Sequence, residues 1–206
     1  LKEMTNRKSI LVTRPVGQAY SLINRLSSIG CNVSYQPMQE IREIRRPCFL
    51  ENKSLISTPL KHIIFVSTNA VRFGLPHILS GRFSLTKNAN YYAVGSATAK
   101  LLLEAGIDAI FPKDKMTSEG LLELFPFSEI NGENVALIKG EGGRDYLATA
   151  LEEQGANVVP FDCYRRVPAK ISSTDLVKLI EDNNIEMAIF SSAEGILRFI
   201  SLTEGN

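Results

Sequence analysis

The chain has 206 residues, 44% of them hydrophobic and 22% charged, with a formal net charge of +1 and no basic run longer than the pairs Arg45-Arg46 and Arg165-Arg166. That is enough apolar material for packed cores, and the even charge argues against a protein that tracks nucleic-acid phosphates. Cys31, Cys48 and Cys163 lack C-x-x-C spacing, and His62 and His77 stand apart, so neither a disulfide framework nor a metal site is expected. No stretch approaches the ~20 apolar residues of a membrane span and the start LKEMTNRKS has no signal core, which points to a reduced, cytoplasmic protein.

The apolar run Ile10–Thr13 predicts a strand, followed by a break at Pro15-Val16-Gly17. A helix follows with Leu22, Ile23, Leu26 and Ile29 on one face and Gly30 at its end, then a strand over Asn32–Gln36. Residues 37–60 are polar and punctuated by proline, as in an extended connector. Next come a strand at Ile63–Val66, the turn Ser67-Thr68-Asn69 and a helix at Ala70–Leu79. Residues 81–90 read as loop, Tyr91–Val94 as strand, Gly95-Ser96 as turn, Ala97–Ala105 as helix and Ala109–Phe111 as strand. Ser118 is the expected cap of a short helix to Phe125. The strand Val135–Lys139, the loop Gly140–Gly143, the helix Arg144–Gln154 and the strand Val158–Phe161 repeat the opening order. A connector over Cys163–Val167, a polar helix near Asp175–Glu181, a strand at Met187–Phe190 and the turn Ser191-Ser192 complete the chain.

That repetition has a fixed offset. Ile10 to Pro37 lies over Val135 to Asp162 without a gap, 125 residues on, so that Gly17 meets Gly142, Leu22 meets Leu147 and Gly30 meets Gly155. The same offset places Phe65 on Phe190 and Ser67 on Ser192. A duplicated α/β unit is expected, of parallel-sheet, Rossmann- or flavodoxin-like architecture. Lobe 1 is expected to comprise 1–37 with 169–206, and lobe 2 47–161, with 38–46 and 162–168 as connectors running side by side. On the repeat's logic, some 30 to 50 further residues would complete the second copy.

Five strand-to-helix turns carry the chemistry: Thr13-Arg14-Pro15, Ser67-Thr68-Asn69, Gly95-Ser96-Ala97-Thr98, Gly140 to Arg144, and Ser191-Ser192. In a parallel sheet such turns gather at the carboxyl ends of the strands, where helix N-termini offer amide hydrogens and partial positive charge. A nearly neutral chain can therefore bind a polyanion, although each Ser or Thr is also an ordinary cap. Arg144 and Arg14 stand at expected helix starts, where a cation needs an anionic partner; for Arg144 that is a ligand or Glu141. The loop GEGGRD lacks the Gly-Lys-Ser/Thr of a phosphate loop and the G-x-G-x-x-G of a dinucleotide site.

The segments VTRP at 12–15, FVSTNAV at 65–71, AVGSATA at 93–99, SEGLL at 118–122, IKGEGGRDYL at 138–147, CYRRVP at 163–168 and FSS at 190–192 together resemble the uroporphyrinogen-III synthase family. Ala193-Glu194-Gly195 departs from its pattern in carrying charge after the second serine turn. The resemblance implies two α/β lobes joined by a two-stranded connector, a cytoplasmic lyase of tetrapyrrole biosynthesis that needs neither metal nor cofactor, and hydroxymethylbilane as substrate. That linear tetrapyrrole carries eight carboxylates and would be handed over by hydroxymethylbilane synthase to a monomeric enzyme. The enzyme removes the terminal hydroxyl as water, inverts ring D and closes the macrocycle. Tyr164 is the candidate proton donor, because a phenol stays protonated at neutral pH. Thr13, Arg14, Ser67, Thr68, Asn69, Gly95, Ser96, Thr98, Gly140, Gly142, Arg144, Ser191 and Ser192 are the candidate substrate-binding residues. As a ligand of substrate carboxylates, Ser67 or Thr98 changed to Ala is expected to raise KM more than it lowers kcat. A non-catalytic sensor of a small anionic metabolite is the alternative reading of the same turns.

Overall fold

The buried run Ser9–Val12 forms the middle strand of one sheet, and the buried run Leu60–Phe65 a middle strand of another. In the computed structural model, residues 7–44, 59–81, 83–126, 128, 130–143 and 145–204 are described. Their elements in chain order are β1 (Ser9–Val12), α1 (Tyr20–Ser28), β2 (Asn32–Tyr35), β3 (Gln39–Glu43), β4 (Leu60–Phe65), α2 (Thr68–Leu79), β5 (Leu85–Ala93) and α3 (Ser96–Glu104). There follow α4 (Ser118–Glu123), β6 (Asn134–Gly140), α5 (Tyr146–Glu153), β7 (Asn157–Pro168), α6 (Ser173–Asp182), β8 (Met187–Ile189) and α7 (Ala193–Thr203).

The chain divides into two compact units, Leu1–Arg42 with Arg166–Asn206, and Glu43–Arg165. The first holds a sheet of order β2-β1-β8, and β1 pairs parallel with both neighbours, Ile10 opposite Val33 and Met187. One core cluster there buries Leu11, Met38, Leu176 and Leu202, with Phe190 and Phe199, edge to face with each other, packed against it. The amphipathic α1 has no buried residue. The edge strand β8 leaves Met187 53% exposed, and α7 leaves Ile196 and Leu197 exposed.

The second unit is larger. Five strands are ordered β3-β7-β6-β4-β5, with parallel pairing between β7, β6, β4 and β5; of these β4, β5, β6 and β7 as far as Arg165 fall in this unit, and β3 as far as Arg42 in the first. The central strands β4 and β6 are covered on both faces, which is why LKHIIF and NVALIKG read as continuous apolar runs rather than alternating ones. One core joins Ile64, Tyr92, Leu121, Ile130, Val135, Leu137 and Leu151. Gly74 lets α2 lie close to β6, since a Cβ there would collide with the Ile138 side chain. The strands β3 and β7 are neighbours of opposite direction, as the bonds from Ile44 N–H to the Cys163 carbonyl and from Ala169 N–H to the Met38 carbonyl require, each 3.0 Å long.

Several elements differ from the sequence reading. The expected loop at 81–90 is strand from Leu85 onward, because β5 carries an irregular insertion against β4: Leu60 faces Leu85 while His62 already faces Asn90. Polar residues in that insertion hide the strand from any hydrophobic pattern. The expected strand at Ala109–Phe111 is a single bridge between Ile110 and Tyr92. The strand at Val158–Phe161 and the connector after it are one continuous strand, β7. Thr117, not Ser118, caps α4, its Oγ1 accepting from Gly120 N–H at 3.2 Å. The connector reading of 45–58 lies outside the described residues.

Candidate active site

Parallel pairing places the segments after β4, β5 and β6 on the carboxyl edge of one sheet, and those after β1 and β8 on the carboxyl edge of the other. In the larger unit the turn after β4 is built around Ser67, whose extended backbone (φ −163°, ψ 166°) makes it the N-cap of α2. Its Oγ accepts from Ala70 N–H at 3.1 Å and lies 3.1 Å from the Tyr164 hydroxyl. Tyr164 reaches this position from β7 and is 2% exposed. It pairs with Gly140 at an irregularity in the β6–β7 register, and its carbonyl accepts from Glu141 N–H at 2.8 Å. The ring lies close against Gly140: a Cβ there would stand 2.6 Å from Cε2 and Cζ. Phe73, on α2, contributes a ring with its centroid 6.0 Å from that of Tyr164.

Three candidate residues from three separate segments thus meet at one point: Ser67, Gly140 and Tyr164. Thr68 and Asn69 open α2 beside them, with Asn69 buried. After β5, Gly95 is the N-cap of α3 and Ser96 is exposed, its Oγ donating to Met116 Sδ at 3.3 Å. Thr98 is buried in the first turn of α3, its N–H bonded to the Gly95 carbonyl at 3.1 Å. The loop after β6 turns through Gly142 and Gly143, at φ 71° and 99°, a left-handed conformation that glycine adopts without steric cost. Arg144, proposed to face a carboxylate, lies outside the described residues. Near this loop Lys139 Nζ meets Asp145 Oδ1 at 3.1 Å. Burial pushes the Asp162 carboxyl upward, opposed by Lys139 and reinforced by Glu141 and Asp145.

In the smaller unit the expected helix start at Thr13-Arg14-Pro15 is displaced. The helix α1 begins only at Tyr20, after a turn through Gly17 at φ 81°, so Arg14 does not stand in a first helical turn. Thr13 donates through Oγ1 to the Ile189 carbonyl at 2.8 Å, bracing β1 against β8. Arg14 accepts through its carbonyl from the Tyr35 hydroxyl at 3.1 Å, and its buried Nε has no hydrogen-bond partner among the described residues. Ser191 is exposed. Ser192 caps α7, accepting from Gly195 N–H at 3.1 Å, and its Oγ donates to Gln39 Oε1 at 3.3 Å.

Phe73 and the packing role of Gly140 escaped the sequence reading. A glycine at the end of one strand opposite a tyrosine on the next is a readable signal, but only once the parallel register is known. Among the described residues no group of three His, Cys, Asp or Glu side chains could hold a metal ion, and no helix is long and apolar enough to cross a membrane.

Comparison with known proteins adds a second line of argument. The family model described as uroporphyrinogen-III synthase HemD matches residues 20–206. A uroporphyrinogen-III synthase of Proteus mirabilis is 32% identical over 160 residues, covering 77% of this chain and 80% of its own. That of Escherichia coli K12 is 26% identical over 195 residues, covering 94% of this chain and 79% of its own. Among solved structures, a uroporphyrinogen III synthase from Thermus thermophilus, in a mutant form, superposes with TM-score 0.64 at 19% identity, covering 94% of this chain and 76% of that one. One from Helicobacter pylori 26695 gives TM-score 0.59 at 16% identity, with 96% and 79% covered. These two structures share the α/β fold.

Proposed function

The chain belongs to the uroporphyrinogen-III synthase family, a cyclising lyase of tetrapyrrole biosynthesis, and from that premise we propose that Tyr164 is its proton donor and the carboxyl-edge turns are its substrate ligands. The reaction closes hydroxymethylbilane to uroporphyrinogen III with loss of water and inversion of ring D. Departure of the terminal hydroxyl requires a proton on the leaving oxygen, and the pyrrole nitrogen stabilises the azafulvene cation left behind. What remains for the protein is to place a donor and to fold the chain of rings so that its ends meet.

The observation that carries this reading is the Tyr164 hydroxyl held 3.1 Å from a helix-capping serine, at the edge where first-turn amides collect. The amide hydrogens of α2, α3 and α7 suit carboxylates, as do the loop at Gly140 and Gly142 and the side chains of Thr68, Asn69, Ser96, Thr98 and Ser191. The Arg14 guanidinium, whose buried Nε has no partner among the described residues, adds a cation. We place the enzyme in the cytoplasm as a monomer receiving its substrate from hydroxymethylbilane synthase.

Supplying hydroxymethylbilane and separating the I and III isomers of the product tests the assignment, because spontaneous closure yields isomer I alone. Isomer III is expected with the wild-type chain. Tyr164→Phe is expected to lower its rate of formation by about 10- to 10⁴-fold; an unchanged rate removes Tyr164 from the donor role.

A further inference from the structure

Resting on the donor role proposed for Tyr164, we infer that Ser67 is a positioning residue for that tyrosine and not a ligand of the substrate's carboxylates. A serine hydroxyl has one proton to give and room to accept two. Ser67 Oγ already accepts from Ala70 N–H at 3.1 Å, and stands 3.1 Å from Tyr164 Oη. Those distances alone leave open which hydroxyl donates to the other. The other unit supplies the direction. At the repeat offset of 125, Ser67 corresponds to Ser192, Ala70 to Gly195 and Tyr164 to Gln39. Ser192 accepts from Gly195 N–H at 3.1 Å and donates to Gln39 Oε1 at 3.3 Å. A carbonyl oxygen only accepts, so the capping serine must be the donor there.

The same polarity in the larger unit runs from the Ala70 amide to Ser67 Oγ, and from the Ser67 hydroxyl to Tyr164 Oη. The phenol then does not commit its own proton to Ser67. When that proton passes to the leaving hydroxyl oxygen, the C–O bond breaks with its electron pair on oxygen and water departs. The charge left on Tyr164 Oη is met by the Ser67 hydroxyl, itself polarised by the N-terminus of α2. The proton released from the pyrrole carbon at ring closure restores the phenol. Gly140 sets the height of the ring, because any Cβ there would fall 3.0 Å from Oη and nearer still to Cζ. The repeat makes the assignment specific: both units keep the serine, and only the larger one puts an acid opposite it.

Three variants and one cycle test this. Ser67→Ala is expected to lower kcat for isomer III by about 10- to 100-fold with KM within about twofold, the mark of a group that acts in the transition state. Ser67→Thr, which keeps a hydroxyl, restores kcat to within about threefold of wild type. Ser67→Asp keeps a good helix cap but has no proton to give, so it stays as slow as Ser67→Ala while its thermal midpoint remains near that of wild type. In a Tyr164→Phe background, Ser67→Ala costs less than about twofold. A rise in KM with kcat intact, full activity in Ser67→Asp, or an undiminished Ser67→Ala effect without the phenol overturns the positioning role. Full activity in Tyr164→Phe alone overturns the donor reading instead.

Discussion

Cys163 immediately precedes the proposed proton donor Tyr164 on β7. It is fully buried, with its thiol donating to the Lys139 carbonyl at 3.3 Å, and burial pushes its pKa up to about 12. An unfolded chain releases this proton near ~8.5, whereas the folded chain holds it to about 12, so the residue's contribution to stability falls as pH rises between those values. Denaturant midpoints of wild type and Cys163→Ala should therefore converge as pH climbs from 8 to 10. An alkylating reagent at pH 8 should mark the half-buried Cys31 and spare Cys163, as peptide mapping would read directly. A Cys163 labelled at the rate of Cys31 would contradict its burial. Its neighbour Tyr164 was legible in the sequence as a candidate acid. Its contact with Ser67, 97 positions away, was not, because that pairing depends on strand register.

At the scale of elements, the alternation of apolar strands and amphipathic helices was readable because it reflects burial. Elements whose pairing rests on backbone geometry were not. The polar start of β5 and the far half of β7 carry no apolar alternation, yet both are held by main-chain hydrogen bonds to neighbouring strands. Adjacent hydroxyl residues pose a similar problem at helix starts, since Thr117 and Ser118 are both suitable caps by type. Only the extended backbone of Thr117 (φ −133°, ψ 171°) puts its oxygen over the Gly120 amide. Thr117→Ala should then cost about 1 kcal/mol in equilibrium unfolding, whereas Ser118→Ala should stay within about 0.5 kcal/mol. Equal losses at both positions would mean that the cap is shared.

Across the whole molecule, stability should be distributed unevenly. Among the described residues, the larger unit holds the parallel strands β7, β6, β4 and β5, with β4 and β6 buried on both faces, while the smaller has a sheet of three short strands and a core cluster around Leu11, Met38, Leu176 and Leu202. Amides of β4 and β6 should accordingly exchange with solvent at least about tenfold more slowly than those of β1 and β8, as hydrogen-exchange mass spectrometry resolves by peptide. Comparable protection in both sheets would show that the two units open together. The chain order adds a temporal consequence. On the ribosome β1 emerges early, yet its partner β8 lies 177 positions further on, with the entire larger unit synthesised in between. That unit can reach its native form while the opening strand–helix–strand waits half-assembled, so a nascent chain would depend on chaperones chiefly for the segment it made first.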